Sequence, residues 1–163
     1  MSLTLDYQSD QYAITQNLRG DNLRPPSDYN KLRVIHFRYK NTTGSTIAAD
    51  KIVALGYVPQ GLILPSSVLI CTDLGTSTNI DVGFDEYKKN DGTLVAADAD
   101  FLIDGADVHT AAIEKTFNTI GTANVTGAGY KLQGFALLVA QIKDDTMASN
   151  GEFNFYIHHI SGQ

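Results

Sequence analysis

At 163 residues the chain has the length of one ordinary domain and can bury a real core. Its formal net charge of −6 repels phosphate backbones and anionic bilayers, which excludes sequence-independent nucleic-acid binding and membrane docking as first readings. Charged residues make up only 18%, and Gly, Thr, Asn and Ser fill the difference, as a turn-rich β protein requires.

Residues 1–30 differ from the rest. They are mostly polar, with scattered hydrophobes at Leu3, Leu5, Tyr7, Tyr12, Ile14, Leu18 and Leu23, and Pro25-Pro26 closes the segment in a stiff, extended conformation. We read this as an N-terminal arm with room for one strand, packing on its own domain or on a neighbouring subunit. The first ten residues have neither a basic n-region nor an apolar h-region, so no signal peptide is expected. No apolar run approaches the roughly 20 residues of a spanning helix.

Residues 31–163 carry the strand signals. Arg33, Ile35, Phe37 and Tyr39 share one face, opposite Leu32, Val34, His36 and Arg38. Asn41-Thr-Thr-Gly44 reads as a turn. Ile52, Val53 and Leu55 form an apolar cluster that Pro59-Gln60-Gly61 breaks, and Leu62 to Cys71 is a second run that Asp73-Leu74-Gly75-Thr76 breaks. Thr78, Ile80, Val82 and Phe84 alternate with Asn79, Asp81, Gly83 and Asp85, the pattern of a strand with one buried and one wet face. Lys88-Lys-Asn-Asp-Gly92 is a hairpin signal, because Asn and Gly tolerate the positive φ of tight turns.

Asp98 to Phe117 supports two readings. Asp107 suits the cap of a short helix over Val108 to Thr116, while Val108, Thr110 and Ile113 suit a strand. Gly121 to Gly129 reads as a loop. Tyr130 to Lys143 reads as one strand with apolar residues on both faces, hence central or covered: Phe135, Leu137 and Val139 oppose Leu132, Ala136 and Leu138. Finally, Phe153, Phe155 and Ile157 point inward and Asn154, Tyr156 and His158 outward. Seven or eight strands without a βαβ rhythm predict an all-β fold, an antiparallel two-sheet β-sandwich preceded by the extended arm.

Reactive chemistry is sparse. Cys71 has no intrachain partner and sits beside Leu69 and Ile70, as a buried small hydrophobe would. Gly127-Ala-Gly129 lacks the third glycine and the following helix of a phosphate cradle, so no cofactor is expected. Asp98, Asp100, Asp104 and Asp107 offer oxygen ligands for Ca²⁺. The EF-hand spacing fails, however, because Phe101, Leu102 and Ile103 stand where polar residues belong, and the competing reading is a solvated turn. His158 and His159 are neighbours on a strand and face opposite ways; His36 and His109 are isolated, and each is expected to be half-buried and satisfied. Asp85-Glu86 and Asp144-Asp145 are the acid pairs nearest to a hydrolytic dyad, and both read as polar turn edges. Arg19-Gly20-Asp21 reads as a coincidental turn. Asn41-Thr-Thr and Asn124-Val-Thr match the glycosylation pattern without a secretory context.

One stretch carries a resemblance. Ala49-Asp50-Lys51-Ile52-Val53-Ala54-Leu55-Gly56-Tyr57-Val58-Pro59-Gln60-Gly61, then Leu74-Gly75-Thr76-Ser77-Thr78-Asn79-Ile80-Asp81-Val82-Gly83, then Ala96-Ala97-Asp98-Ala99-Asp100-Phe101-Leu102, resembles segments of small virion proteins of tailed bacteriophages. It covers roughly residues 46 to 112, and its motifs are turn and strand residues. The resemblance implies an antiparallel two-sheet β-sandwich or jelly roll, a non-enzymatic decoration or cement protein of the phage head, located in the virion and assembled in the host cytoplasm. Its implied partners are the major capsid protein or other virion proteins, with trimers favoured and arms reaching across the shell. On that reading Leu3, Leu5, Tyr7, Tyr12 and Leu18 make contacts between subunits. The alternative is a carbohydrate- or receptor-binding module of a tail or fibre, with Tyr57, Tyr87, Tyr130 and Tyr156 stacking on sugars; the absence of Trp weighs against it.

Overall fold

The computed structural model describes residues 7–8, 32–109, 113–117 and 130–161, and every regular element among them is a strand. The longer strands are β2 (Leu32–Lys40), β3 (Ile52–Val58), β4 (Leu62–Cys71), β5 (Asn79–Phe84), β8 (Asp98–Asp107), β9 (Ile113–Phe117), β11 (Ala136–Lys143) and β12 (Glu152–Ser161). Four two-residue strands complete the set: β1 (Tyr7–Gln8), β6 (Tyr87–Lys88), β7 (Leu94–Val95) and β10 (Tyr130–Lys131).

The longer strands form two antiparallel sheets. One runs β3-β11-β5-β8, with β1 added in parallel to β3 through Tyr7 and Val53. The other runs β4-β12-β2, with β9 and β10 pairing to successive parts of the far edge of β4. Every connection between consecutive longer strands crosses from one sheet to the other, except β5 to β8. That winding is the double Greek key of a jelly roll, so the sandwich expectation holds in its more specific form.

The core lies between the sheets and is built from the inner rows that alternation predicts. Phe37, Phe155 and Leu69 stand side by side across β2, β12 and β4, and Tyr39, Phe153 and Cys71 form the next row. Leu138, Ala140 and Ile142 face them from β11. Each fully buried large side chain contributes about 2–3 kcal/mol by area. Cys71 is a buried hydrophobe, as read.

Three expectations need correction. The alternating segment around Asp81 has no wet face: Asp81 and Gly83 are buried along with Ile80 and Val82. Gly83 is required because a Cβ there would lie 2.0 Å from the Asp98 carbonyl oxygen, where β8 crosses closely. The 98–107 stretch is a strand rather than a solvated turn, and of the two readings left open for the residues after it, the strand is the one found at 113–117. Two register shifts against β5 let β8 bury the consecutive Leu102 and Ile103, which blurs any period in its sequence. Tyr130 to Lys143 is two strands in different sheets. The chain changes sheets near Gly134, whose Cβ position lies 2.0 Å from the Lys88 carbonyl oxygen.

Candidate interaction surfaces

The outer face of the β4-β12-β2 sheet is graded along its strands. At one end Leu32, Ile160 and Ile63 form a cross-strand row, followed by Val34, His158 and Ser66. Leu32 and Val34 are 64% and 53% exposed, high values for aliphatic side chains on a regular strand. The middle row holds His36 stacked on Tyr156 at 4.4 Å between ring centroids, with His36 Nε2 2.9 Å from Asn154 Oδ1. At the far end Arg38 donates from Nε and Nη2 to both carboxylate oxygens of Glu152, at 2.8 and 3.0 Å, and its guanidinium holds that carboxyl below the usual range. The face therefore passes from apolar to charged over one strand length.

The outer face of the other sheet has its own apolar cluster. Ile52, Ala54, Leu137 and Val139 are buried there, with Tyr57 and Ala99 packed against them. Phe135 stacks on Tyr57 at 4.8 Å and remains 49% exposed.

The border strand β8 is acidic. Asp98, Asp100, Asp104 and Asp107 are all exposed on it. The Asp100 carboxyl, hydrogen-bonded to Asp98, and then partial burial push Asp98 up to about 6. Behind this row Asp81 is buried and accepts the Gly105 N–H at 2.7 Å; burial raises its pKa, against the opposing pull of that hydrogen bond and of Lys143. Among the described residues no group of three or more His, Cys, Asp or Glu side chains is placed to hold a metal ion.

The remaining candidate residues sort by environment. His159 is buried and His158 half-buried, on opposite faces as read, and Ser66 Oγ lies 2.8 Å from His158 Nδ1. His36 and His109 are exposed rather than half-buried, and His109 contacts Asp107. Asp144 and Asp145 are turn carboxylates serving Asn79 and the Thr146 N–H. Asp85 is buried rather than a wet edge, and its Oδ1 accepts the Glu86 N–H at 2.7 Å. Of the four tyrosines expected to be exposed, Tyr87 is buried and its hydroxyl lies 2.8 Å from that of Tyr130; burial and that neighbour raise its pKa. Tyr57, Tyr130 and Tyr156 are half-buried. Among the arm contacts, Tyr7 lies in β1, while Leu3, Leu5, Tyr12 and Leu18 fall outside the described residues, as do Arg19-Gly20-Asp21, Asn124 and the 121–129 loop.

Asn41 has a role that the turn reading did not reveal. Its side chain is buried and donates to the Ser45 and Ala148 carbonyls at 2.8 and 3.0 Å, while Oδ1 accepts the Thr43 N–H and hydroxyl. It ties the β2–β3 loop to the β11–β12 loop and is closed to a glycan.

No protein-family profile and no curated protein matches the chain. Solved structures do. A chain from the "Capsid of Ralstonia phage GP4" superposes with a TM-score of 0.66 at 19% identity, over 96% of this chain and 97% of that one. A chain from the "Cyanophage Pam1 capsid asymmetric unit" superposes with a TM-score of 0.56 at 13% identity, over 88% and 94%. At these identities the likeness is one of fold.

Proposed function

We propose that the protein is a non-enzymatic structural component of a tailed-phage virion, a decoration or cement protein that stabilises the head through contacts between subunits. The observation that carries this reading is the end-to-end match to a chain of a phage capsid. Because both chains are covered almost entirely, the neighbour is itself a small jelly-roll chain, without a further large domain to form a shell tile. The jelly roll is one of the architectures of viral capsid domains, which supports the same reading.

In this role residues 1–30 act as an arm joined to a 31–163 sandwich. Leu3, Leu5, Tyr7, Tyr12 and Leu18 bear on neighbouring copies or on the major capsid protein, with trimers as the favoured unit and the host cytoplasm as the place of assembly. The pairing of Tyr7 with Val53 supports an arm that adds backbone to a sheet edge. Weak contacts repeated by shell symmetry add by avidity.

The test is electron microscopy of native particles beside particles assembled with a chain lacking residues 1–20. The expected result is density at symmetry-related positions for the full chain and loss of occupancy for the deletion, with the sandwich still folded by circular dichroism. Unchanged occupancy would remove the arm from the proposal. Absence of the full chain from the shell would sink the cement role itself.

A further inference from the structure

We propose that the end of the sandwich formed by the β3–β4 turn, the β6–β7 hairpin and the segment between β10 and β11 is a binding site for a neutral oligosaccharide. An open cleft of ≈ 610 Å³ lies there, lined by Gln60, Asn90, Asp91, Lys131, Leu132 and Gln133 among others. The volume falls within the range of small-ligand sites.

The lining selects the ligand class. Side-chain amides present both donors and acceptors in one plane, which matches vicinal hydroxyls. Among the described residues no hydrogen bond holds the side-chain amides of Gln60, Asn90 or Gln133. Among the lining side chains one carboxylate, Asp91, and one ammonium, Lys131, balance in formal charge, so the lining itself offers an ionic ligand no net charge to pair with. A protein-binding hot spot would instead centre on aromatic side chains, and none lines the cleft itself.

An apolar platform adjoins the cleft. From Lys131 to Ala136 exposure alternates residue by residue, so Lys131, Gln133 and Phe135 are all exposed along the segment that crosses from one sheet to the other. One face of the Phe135 ring rests on Tyr57, 4.8 Å away with 15° between planes, and the ring remains about half exposed. An aromatic face takes the C–H face of a pyranose while neighbouring amides take its hydroxyls. Four residues at about 3.3 Å each put Phe135 at most about 13 Å from Lys131, within the reach of a short oligosaccharide.

The walls are held in place before any ligand arrives. The Gly61 N–H donates to the Leu132 carbonyl at 2.7 Å, and the Leu132 N–H to the Leu62 carbonyl at 2.8 Å. The Asn90 N–H reaches the Gln133 carbonyl at 3.2 Å, and Asp91 Oδ1 accepts the Thr93 N–H at 2.8 Å, fixing the hairpin tip. Gly134 presses against the Lys88 carbonyl, which leaves the 133–135 backbone little freedom. Such fixed walls lower the entropy cost of binding.

The test is a glycan array with the full chain, followed by calorimetric titration with chitotetraose and cellotetraose as neutral probes. Saturable binding of a neutral glycan is expected. Phe135→Ala should weaken it about tenfold or more, and Asn90→Ala and Gln133→Ala several-fold. Phe135→Tyr, which keeps the platform, should retain binding and carries the test if Phe135→Ala proves unstable in a thermal melt. Leu32→Ser, on β2 at the other end of the β10-β4-β12-β2 order, should change nothing. A silent array, binding of acidic glycans alone, or an affinity indifferent to both Phe135→Ala and Gln133→Ala would overturn the proposal.

Discussion

Strands β2 and β8 each end one sheet of the sandwich among the described residues, and they are built in opposite ways. β2 runs in unbroken register with β12 from Leu32 to Lys40 and turns Leu32 and Val34 toward solvent. β8 shifts register twice against β5 and lines its exposed positions with Asp98, Asp100, Asp104 and Asp107. Bulges and like charges on a border strand repel a second sheet edge. A regular strand with aliphatic side chains outward offers contact area instead. The contrast teaches that the two flanks are built differently, one against edge-to-edge association and the other with apolar contact area turned outward.

The comparison can be broken from the core outward. Phe155→Ala, in the row beneath β2, removes a fully buried ring and should cost about 3–5 kcal/mol in urea unfolding, melting the regular flank with the rest of the fold. A cost under about 1 kcal/mol would mean that the Phe37, Phe155 and Leu69 row is not central to the core. Asn41→Ala leaves the Ser45 and Ala148 carbonyls without their donor where β2 hands over to the loop, and should cost about 2 kcal/mol. Asn41→Asp, which keeps the acceptor but not the donors, should recover little of it.

The smallest effect belongs to the acidic flank. Asp98 is raised from the usual 3.8 to about 6, so the folded chain binds that proton more tightly than the unfolded chain. Stability therefore falls as pH rises through the window from about 4 to 6, and the full penalty is present above it. Since Asp98 is exposed, solvent screening reduces that penalty to a fraction of the nominal value. Asp98→Asn should raise the melting temperature at pH 7 by about 1–2 °C and flatten its slope between pH 4 and 6. A melting temperature that is unchanged at pH 7 and keeps its slope would show that the carboxylate pair carries no strain.

Much of the fold was legible in local pattern. The faces of β2 and β12 followed from strict alternation, since both strands are buried on one side only. The hairpin at Lys88-Lys-Asn-Asp-Gly92 followed from turn chemistry, and Gly92 takes a φ of +83° there. Legibility failed where a strand is covered twice or bulged. Asp81 and Gly83 look solvent-facing because small and polar residues usually are, yet one sits in a notch closed by Gly105 and the other beneath a crossing backbone. β8 hid behind its carboxylates. Of the proposed contact residues only Tyr7 falls among the described residues, whereas the exposed aliphatic row of β2 and the cleft beside Phe135 became visible only when distant segments were set side by side.

By itself the sequence determined the class of the protein: an all-β, disulfide-independent chain whose strands and inward rows can be read from periodicity and turn residues. Those signals are local, set by side-chain direction along one strand and by the φ that a turn allows. The tertiary structure alone decided that β12 lies between β4 and β2, that β11 lies between β3 and β5, and that the stretch from Tyr130 to Lys143 serves both sheets. Strand partners are chosen by burial between segments far apart in the chain, and no short window of residues contains that choice.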